Sequence, residues 1–126
     1  MDKRIIRKWV IILKVMISQP MFGRAEEKIK KERAEIIEKF NKMHIEVLDT
    51  LFTEEPPNTC NMAIYYLAKS IDAMKDIDAL YMCDNWNLSR GCKIEYLVAK
   101  EYGIKILNKN FFTNDSIIST KKFEIN

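Results

Sequence analysis

Short unbroken apolar runs and longer stripes of apolar residues at helical spacing take turns along this chain. Val10 to Ser18 is apolar and β-branched and ends at Gln19-Pro20, the pattern of a buried strand that stops before a loop. From Arg24 to Met43, the residues Ile29, Ile36, Ile37, Phe40 and Met43 recur at helical spacing, and Glu26 and Glu27 occupy the first turn, where the helix dipole favours acids. Ile45 to Phe52 reads as a second strand, broken by Glu54-Glu55-Pro56-Pro57-Asn58. Cys60, Ile64, Leu67, Ala68, Ile71 and Met74 mark a second amphipathic helix, and Asp78 to Cys83 a third strand. Ser89 caps a third helix that runs to Tyr102 and ends at Gly103, and Ile104 to Leu107 is a fourth strand. Lys121 to Ile125 alternates like a short edge strand.

Strands that alternate with helices of this length imply βαβ units around a parallel sheet, so the expected class is α/β with four to five strands flanked by helices. At 126 residues and 48% hydrophobic, the chain is long enough for one core and too short for two ordinary domains. A single domain over residues 1–126 is expected, with residues 1–9 as a basic lead-in and 108–126 as a C-terminal extension. The net charge is only +3, and acids and bases interleave, which argues against nucleic acid as a partner. The lopsided stretch is Lys3, Arg4, Arg7 and Lys8 before Trp9; Lys14 interrupts the apolar run behind it and no small-residue cleavage site follows, so it does not read as a signal peptide. No apolar segment approaches the roughly 18 residues of a membrane span, so no membrane partner is expected.

Three cysteines, Cys60, Cys83 and Cys92, form no C-x-x-C pair, which suits reduced thiols in a cytoplasmic protein. His44 is the only histidine, which disfavours a histidine triad and a histidine-rich metal site. Neither metal nor cofactor is expected. Any catalysis falls to carboxylates and hydroxyls.

One carboxylate stands where helix geometry disfavours it. At about 100° per residue, Gly91, Ile94, Val98 and Tyr102 share one face of the third helix. Glu95 falls between Tyr102 and Ala99 on that side, whereas Lys93, Tyr96 and Lys100 point away. A carboxylate on the inward arc is costly unless it is paired, neutralised or used. The loop Asp84 to Leu88, with Asp84 and Trp86 as candidate substrate contacts, leaves a strand's carboxyl end, where open α/β sheets bind ligands. Ser89 and the free N–H groups behind it suit a phosphate or sugar hydroxyl, and Gly91 permits close approach. The competing reading pairs Glu95 with a buried Arg or Lys and leaves Ser89 as a cap alone. Asp72 lies at the edge of the second helix's apolar arc, on a stripe with Tyr65, Lys69 and Asp76; it suits a ligand contact near Glu95, or a solvated acid bridged to Lys69 or Lys75.

The series Lys14-Val15-Met16-Ile17-Ser18-Gln19-Pro20-Met21, then Ser70-Ile71-Asp72 before Asp76-Ile77-Asp78-Ala79-Leu80, then Ser89-x-Gly91-x-x-x-Glu95, resembles the nucleoside 2-deoxyribosyltransferase-like superfamily. The resemblance covers roughly residues 14 to 107, and its most specific part is the Ser-x-Gly-x-x-x-Glu helix start behind a strand. It implies a doubly wound (flavodoxin/Rossmann-like) fold, usually dimeric, that cleaves the N-glycosidic bond of a deoxynucleoside or its 5'-monophosphate. By that likeness Glu95 is the nucleophile on the anomeric carbon, Asp72 assists the departing base or orients the sugar, and Ser89 binds phosphate or hydroxyl oxygens. The first loop, Gln19 to Arg24, closes over the sugar-phosphate, with Ser18, Gln19, Met21, Gly23 and Arg24 as substrate contacts, and Ser116 is a candidate contribution to a neighbouring subunit's site. Met16 and Gln19 stand where members of that superfamily commonly carry Tyr and Gly. That departure favours an alternative, a non-catalytic protein that sequesters a nucleotide or an ADP-ribose-like signal. Met62, Tyr65 and Tyr66 give the second helix more apolar surface than one sheet face requires, so a homodimer or higher homo-oligomer through that helix is expected.

Overall fold

The computed structural model describes residues 5–6, 9–51, 55, 57–58, 61–113 and 122–124, with side chains for 12–51, 55, 57–58 and 61–113. The strands are β1 (Ile5–Ile6), β2 (Trp9–Ile11), β3 (Lys14–Ser18), β4 (Glu46–Leu48), β5 (Ala79–Met82), β6 (Lys105–Leu107) and β7 (Lys122–Glu124). The α-helices are α1 (Glu26–Lys42), α2 (Met62–Ala73) and α3 (Arg90–Glu101). Four strands form a parallel sheet in the order β4-β3-β5-β6. The chain steps from β3 through α1 to β4, then crosses back through α2 to β5 on the other side of β3. This is the doubly wound arrangement, and its topological switch point lies between the carboxyl ends of β3 and β5.

Two apolar layers sandwich the sheet. Val15, Ile17, Ala79 and Tyr81 meet Ile36 and Phe40 of α1, Met43 just after it, and Phe111 on one face. Met16, Leu80 and Met82 meet Met74, Ile77 and, from α3, Cys92 and Ala99 on the other. Strand alternation sorts these side chains. Ser18 shares its parity with Met16, and therefore projects toward the α3 layer. Phe40 is fully buried and touches the rings of Tyr81, Phe111 and Phe112, with centroids 5.6, 6.1 and 4.8 Å away.

Several elements depart from the sequence reading. The run Val10 to Ser18 is two strands in different sheets: β2 pairs antiparallel with β1 and β7, while β3 joins the parallel sheet. The division falls at Ile12 and Leu13, and the backbone N–H groups of Leu13 and Lys14 donate to Asp78 Oδ2 at 3.0 and 2.9 Å, an anchor that aligns β3 with β5. The strand expected at Lys121 to Ile125 is present as β7, but in the antiparallel sheet. The strand expected over Ile45 to Phe52 is confined to Glu46–Leu48, and Phe52 itself lies outside the described residues. Cys60, Pro56, Ser116 and much of the lead-in over 1–9 and the extension over 108–126 also lie outside them. Among the described residues no helix is long and apolar enough to cross a membrane.

Truncating the ring that joins α1 to the sheet removes contacts that no neighbour replaces. Phe40→Ala is expected to cost about 3–5 kcal/mol of folding stability, measured by urea unfolding; a loss below about 1 kcal/mol, the size of an ordinary surface effect, would contradict this account of the core.

Candidate active site

Ser89 begins α3 as its N-cap, with its Oγ accepting from the Cys92 backbone N–H at 3.3 Å. That cap aims the helix amino end at the carboxyl ends of β3 and β5. The buried residues of α3 are Cys92, Glu95 and Ala99; of the expected face, Gly91 and Val98 are half-buried, whereas Ile94 and Tyr102 are exposed. The small side chains of Cys92 and Ala99 let the helix approach the sheet closely. Tyr96, expected outward, is half-buried and stacked on Trp86 with centroids 4.4 Å apart. Glu95 is nonetheless turned inward, with 8% of its surface exposed.

Ser18 Oγ donates to Glu95 Oε1 at 2.6 Å, a buried bond across 77 residues of sequence. Burial pushes the Glu95 carboxyl above the ordinary range, while the hydroxyls of Ser18 and Ser70 and the charge of Arg33 pull it back. Both effects act on one group because the site is nearly dry yet lined with donors.

A pocket of about 430 Å³ opens on Glu95. Gln19, Thr50 and Leu51 line it from beyond β3 and β4, Ser89, Gly91 and Cys92 from α3, and Ala63, Tyr66, Leu67 and Ser70 from α2. Met21 and Phe22 form the edge of the mouth, where Phe22 is 99% exposed. Gly23 follows with φ +75°, a left-handed turn that glycine adopts without strain. Cys92 is not poised as a nucleophile, because burial raises its thiol despite the nearby hydroxyls of Ser18 and Ser89. Cys83, in the sheet's α1 layer, is pushed up to about 12 by burial.

Beneath the pocket lies a buried cation. Arg33 is 3% exposed and donates from Nη1 to Gln19 Oε1 at 3.2 Å and from Nη2 to Thr50 Oγ1 at 3.0 Å. Among the described residues its Nε has no hydrogen-bond partner, and Asp49 Oδ1 stands 3.6 Å from it. Burial presses the guanidinium pKa down and Asp49 raises it again, yet arginine keeps its charge under any ordinary condition. The Gln19 amide is fully engaged, since Nε2 donates to Ile29 O at 2.9 Å and to Glu32 Oε1 at 2.8 Å. Gln19 therefore holds α1 to the sheet rather than offering its amide to a ligand. Arg24 is likewise held, by Pro20 O at 2.8 Å and Glu32 Oε1 at 3.0 Å.

Other residues expected at the site lie elsewhere. Asp72 is exposed, pairs with Lys75 at 3.1 Å and lines a separate groove of about 790 Å³ with Leu48, Ile64, Tyr65 and Ala68. Two residues along a helix is about 200° of rotation, so with Ser70 facing Glu95, Asp72 faces away. Asp84 is exposed and 3.6 Å from Lys109, and Trp86 packs against the α3 layer of the core. Met16 is fully buried in that same layer and does not reach the pocket. Arg33 escaped the sequence reading although Ile29, Arg33, Ile36 and Phe40 are spaced as one inward stripe. Ser70 carried a similar signal through Ala63 and Tyr66 on the same helix face.

Because folding raises the Glu95 pKa, its contribution to stability is full below the ordinary carboxylate range and is lost as pH rises through the raised value. Ser18→Ala removes a donor to the ionised form and is expected to move the Glu95 midpoint higher still, read by carbon NMR titration of the side-chain carboxyl. A midpoint that stays or falls would contradict the Ser18 bond as a stabiliser of the anion.

Comparison with curated proteins and with solved structures finds no match to this chain. Residues 13–108, which contain the parallel sheet, the three helices and every lining residue of the Glu95 pocket, match one family model. The chain belongs to the family described as "Domain of unknown function (DUF4406)".

Proposed function

We propose that the protein cleaves the N-glycosidic bond of a nucleoside or nucleoside 5'-monophosphate, with Glu95 as the nucleophile. The observation that carries this reading is a carboxylate almost removed from water, hydrogen-bonded by Ser18 and facing a pocket of about 430 Å³ at the switch point of the sheet. Ser18 donates to Oε1, the hydroxyl of Ser70 lies beside the same carboxylate, and Oε2 is the oxygen assigned to the anomeric carbon. Attack forms a glycosyl ester as the bond to the base breaks, and water then hydrolyses the ester. The raised pKa makes the carboxylate a better nucleophile, at the cost of requiring a pH high enough to ionise it. The exposed Phe22 ring at the mouth suits stacking on a nucleobase, and Ser89 with the α3 amino end suits a sugar hydroxyl or a phosphate.

A second reading is favoured by one observation: among the described lining residues Glu95 is the only carboxylic acid, because Asp72 faces the other groove. A protein that only sequesters a nucleotide would use Glu95 to accept hydrogen bonds from ribose hydroxyls. The resemblance to a dimeric superfamily and the exposed Met62 and Ile64 on α2 also support a homo-oligomer through that helix.

Incubation of the purified protein with a panel of nucleosides and nucleotides separates the two readings. Free base is the expected product, with a rate that rises with pH through a midpoint above 4.5, the ordinary value for glutamate. Glu95→Gln is expected to lose at least about a thousandfold in rate, roughly 4 kcal/mol of barrier, while still binding ligand. Intact ligand recovered from the parent protein without free base would support sequestration instead.

A further inference from the structure

Breaking an N-glycosidic bond places an electron pair on the departing base nitrogen, and that charge needs a proton or a hydrogen-bond donor. Glu95 is committed to the anomeric carbon in the reading above, on which the present step rests, and no other carboxylic acid lines the pocket among the described residues. Thr50 lines the pocket from the loop that follows β4, the edge strand separated from β5 by β3.

Thr50 is a donor by elimination. A guanidinium carries no acceptor, so the 3.0 Å contact from Arg33 Nη2 must use a lone pair of Thr50 Oγ1. The hydroxyl hydrogen then points elsewhere, and among the described residues no acceptor receives it. Thr50 is buried and lines the pocket, so its hydroxyl is placed to donate to an acceptor on a bound ligand. Hydrogen bonding to a buried cation polarises the O–H bond and strengthens it as a donor. Gln19 fixes the cation, because its Oε1 takes Nη1 while its amide is tied to Ile29 and Glu32.

We propose that Thr50, polarised by Arg33, donates a hydrogen bond to the base as it departs, in place of a second carboxylic acid. Thr50 is the catalytic residue in this step and Arg33 the positioning residue. The substrates are nucleosides whose base carries an acceptor, a ring carbonyl or an unprotonated ring nitrogen. As Glu95 Oε2 bonds to the anomeric carbon, the carbon–nitrogen bond breaks and its electron pair stays on the base, which leaves as an anion hydrogen-bonded to Thr50. The base takes its proton from water. A second water attacks the anomeric carbon, the ester pair returns to Glu95, and the proton of that water neutralises the hydroxide left by the first.

The test compares two deoxyribosides, one bearing the natural base that turns over fastest and one bearing 4-nitrophenolate, which departs without assistance. Thr50→Val is expected to slow the natural substrate by ~10²-fold, as for the loss of one preorganised donor, and the nitrophenyl substrate by less than about threefold. Thr50→Ser should restore the natural reaction to within about threefold, since it keeps the hydroxyl. Arg33→Met should follow Thr50→Val in distinguishing the two substrates. If Thr50→Val does not fold because Arg33 loses its acceptor, Thr50→Cys, which keeps the volume but has only a weak donor in its thiol, is expected to slow the natural substrate more than the nitrophenyl one. Equal losses on both substrates, or no loss on either, overturn the role of Thr50 while leaving Glu95 untouched. A parent protein that cleaves neither substrate, or a Glu95→Gln variant that cleaves both, overturns the nucleophile reading and this step with it.

Discussion

A carboxylate with 8% of its surface exposed stays usable only if its surroundings replace the water it has lost, and the 2.6 Å bond from Ser18 is the first replacement. That bond requires β3 and α3 to be positioned within a few tenths of an ångström. Strand parity turns Ser18 toward the α3 layer, Ser89 caps the helix beside the switch point, and Cys92 and Ala99 are small enough to let Glu95 reach the sheet. The anchoring of β3 by Asp78 serves the same alignment from the other end of the strand. Each of these features would be of little consequence in an ordinary surface helix, and together they build the floor of the pocket.

The second replacement is Arg33. Its charge acts on Glu95 through the low-dielectric floor, and its hydrogen bonds tie the ends of β3 and β4 to α1 through Gln19 and Thr50. A buried cation whose Nε has only a long ion pair to Asp49 and, among the described residues, no hydrogen bond is expensive to keep. The cost is consistent with a functional site, because burying an aliphatic side chain there would pack the core and leave the carboxylate and the Thr50 hydroxyl without their electrostatic support. Glu95 and Arg33 therefore form one system whose parts come from opposite faces of the sheet.

Much of this was legible in the chain. The strand and helix series follows from apolar periodicity, and Glu95 draws notice because helix geometry puts a carboxylate on the inward arc behind a cap. The face of α3 was less legible, since Ile94 and Tyr102 look like core residues yet are exposed, while the smaller Cys92 and Ala99 are inside. Asp72 illustrates a different limit: its neighbour Ser70 has the same spacing to Glu95 within two residues, and only the rotation of α2 decides which of them faces the pocket. The signal for Arg33 was present in its stripe with Ile29, Ile36 and Phe40, but an arginine on an apolar arc usually reads as a snorkelling surface residue. Thr50 could not be read at all, because its role comes from contact with a helix 17 residues earlier, across a layer of the fold.

The central claim is that Glu95 bonds covalently to the sugar, and trapping that bond tests it most directly. A nucleoside with fluorine at C2' withdraws charge from the anomeric carbon and slows hydrolysis of the ester more than its formation suffers from a good leaving base, so the glycosyl-enzyme accumulates. Mass spectrometry of the intact protein should then show one added fluorosugar, and fragmentation should place it on Glu95 in the Arg90–Glu101 helix. A fluorosugar attached to any other residue, or release of base from the natural substrate with no adduct ever detectable, would contradict the account.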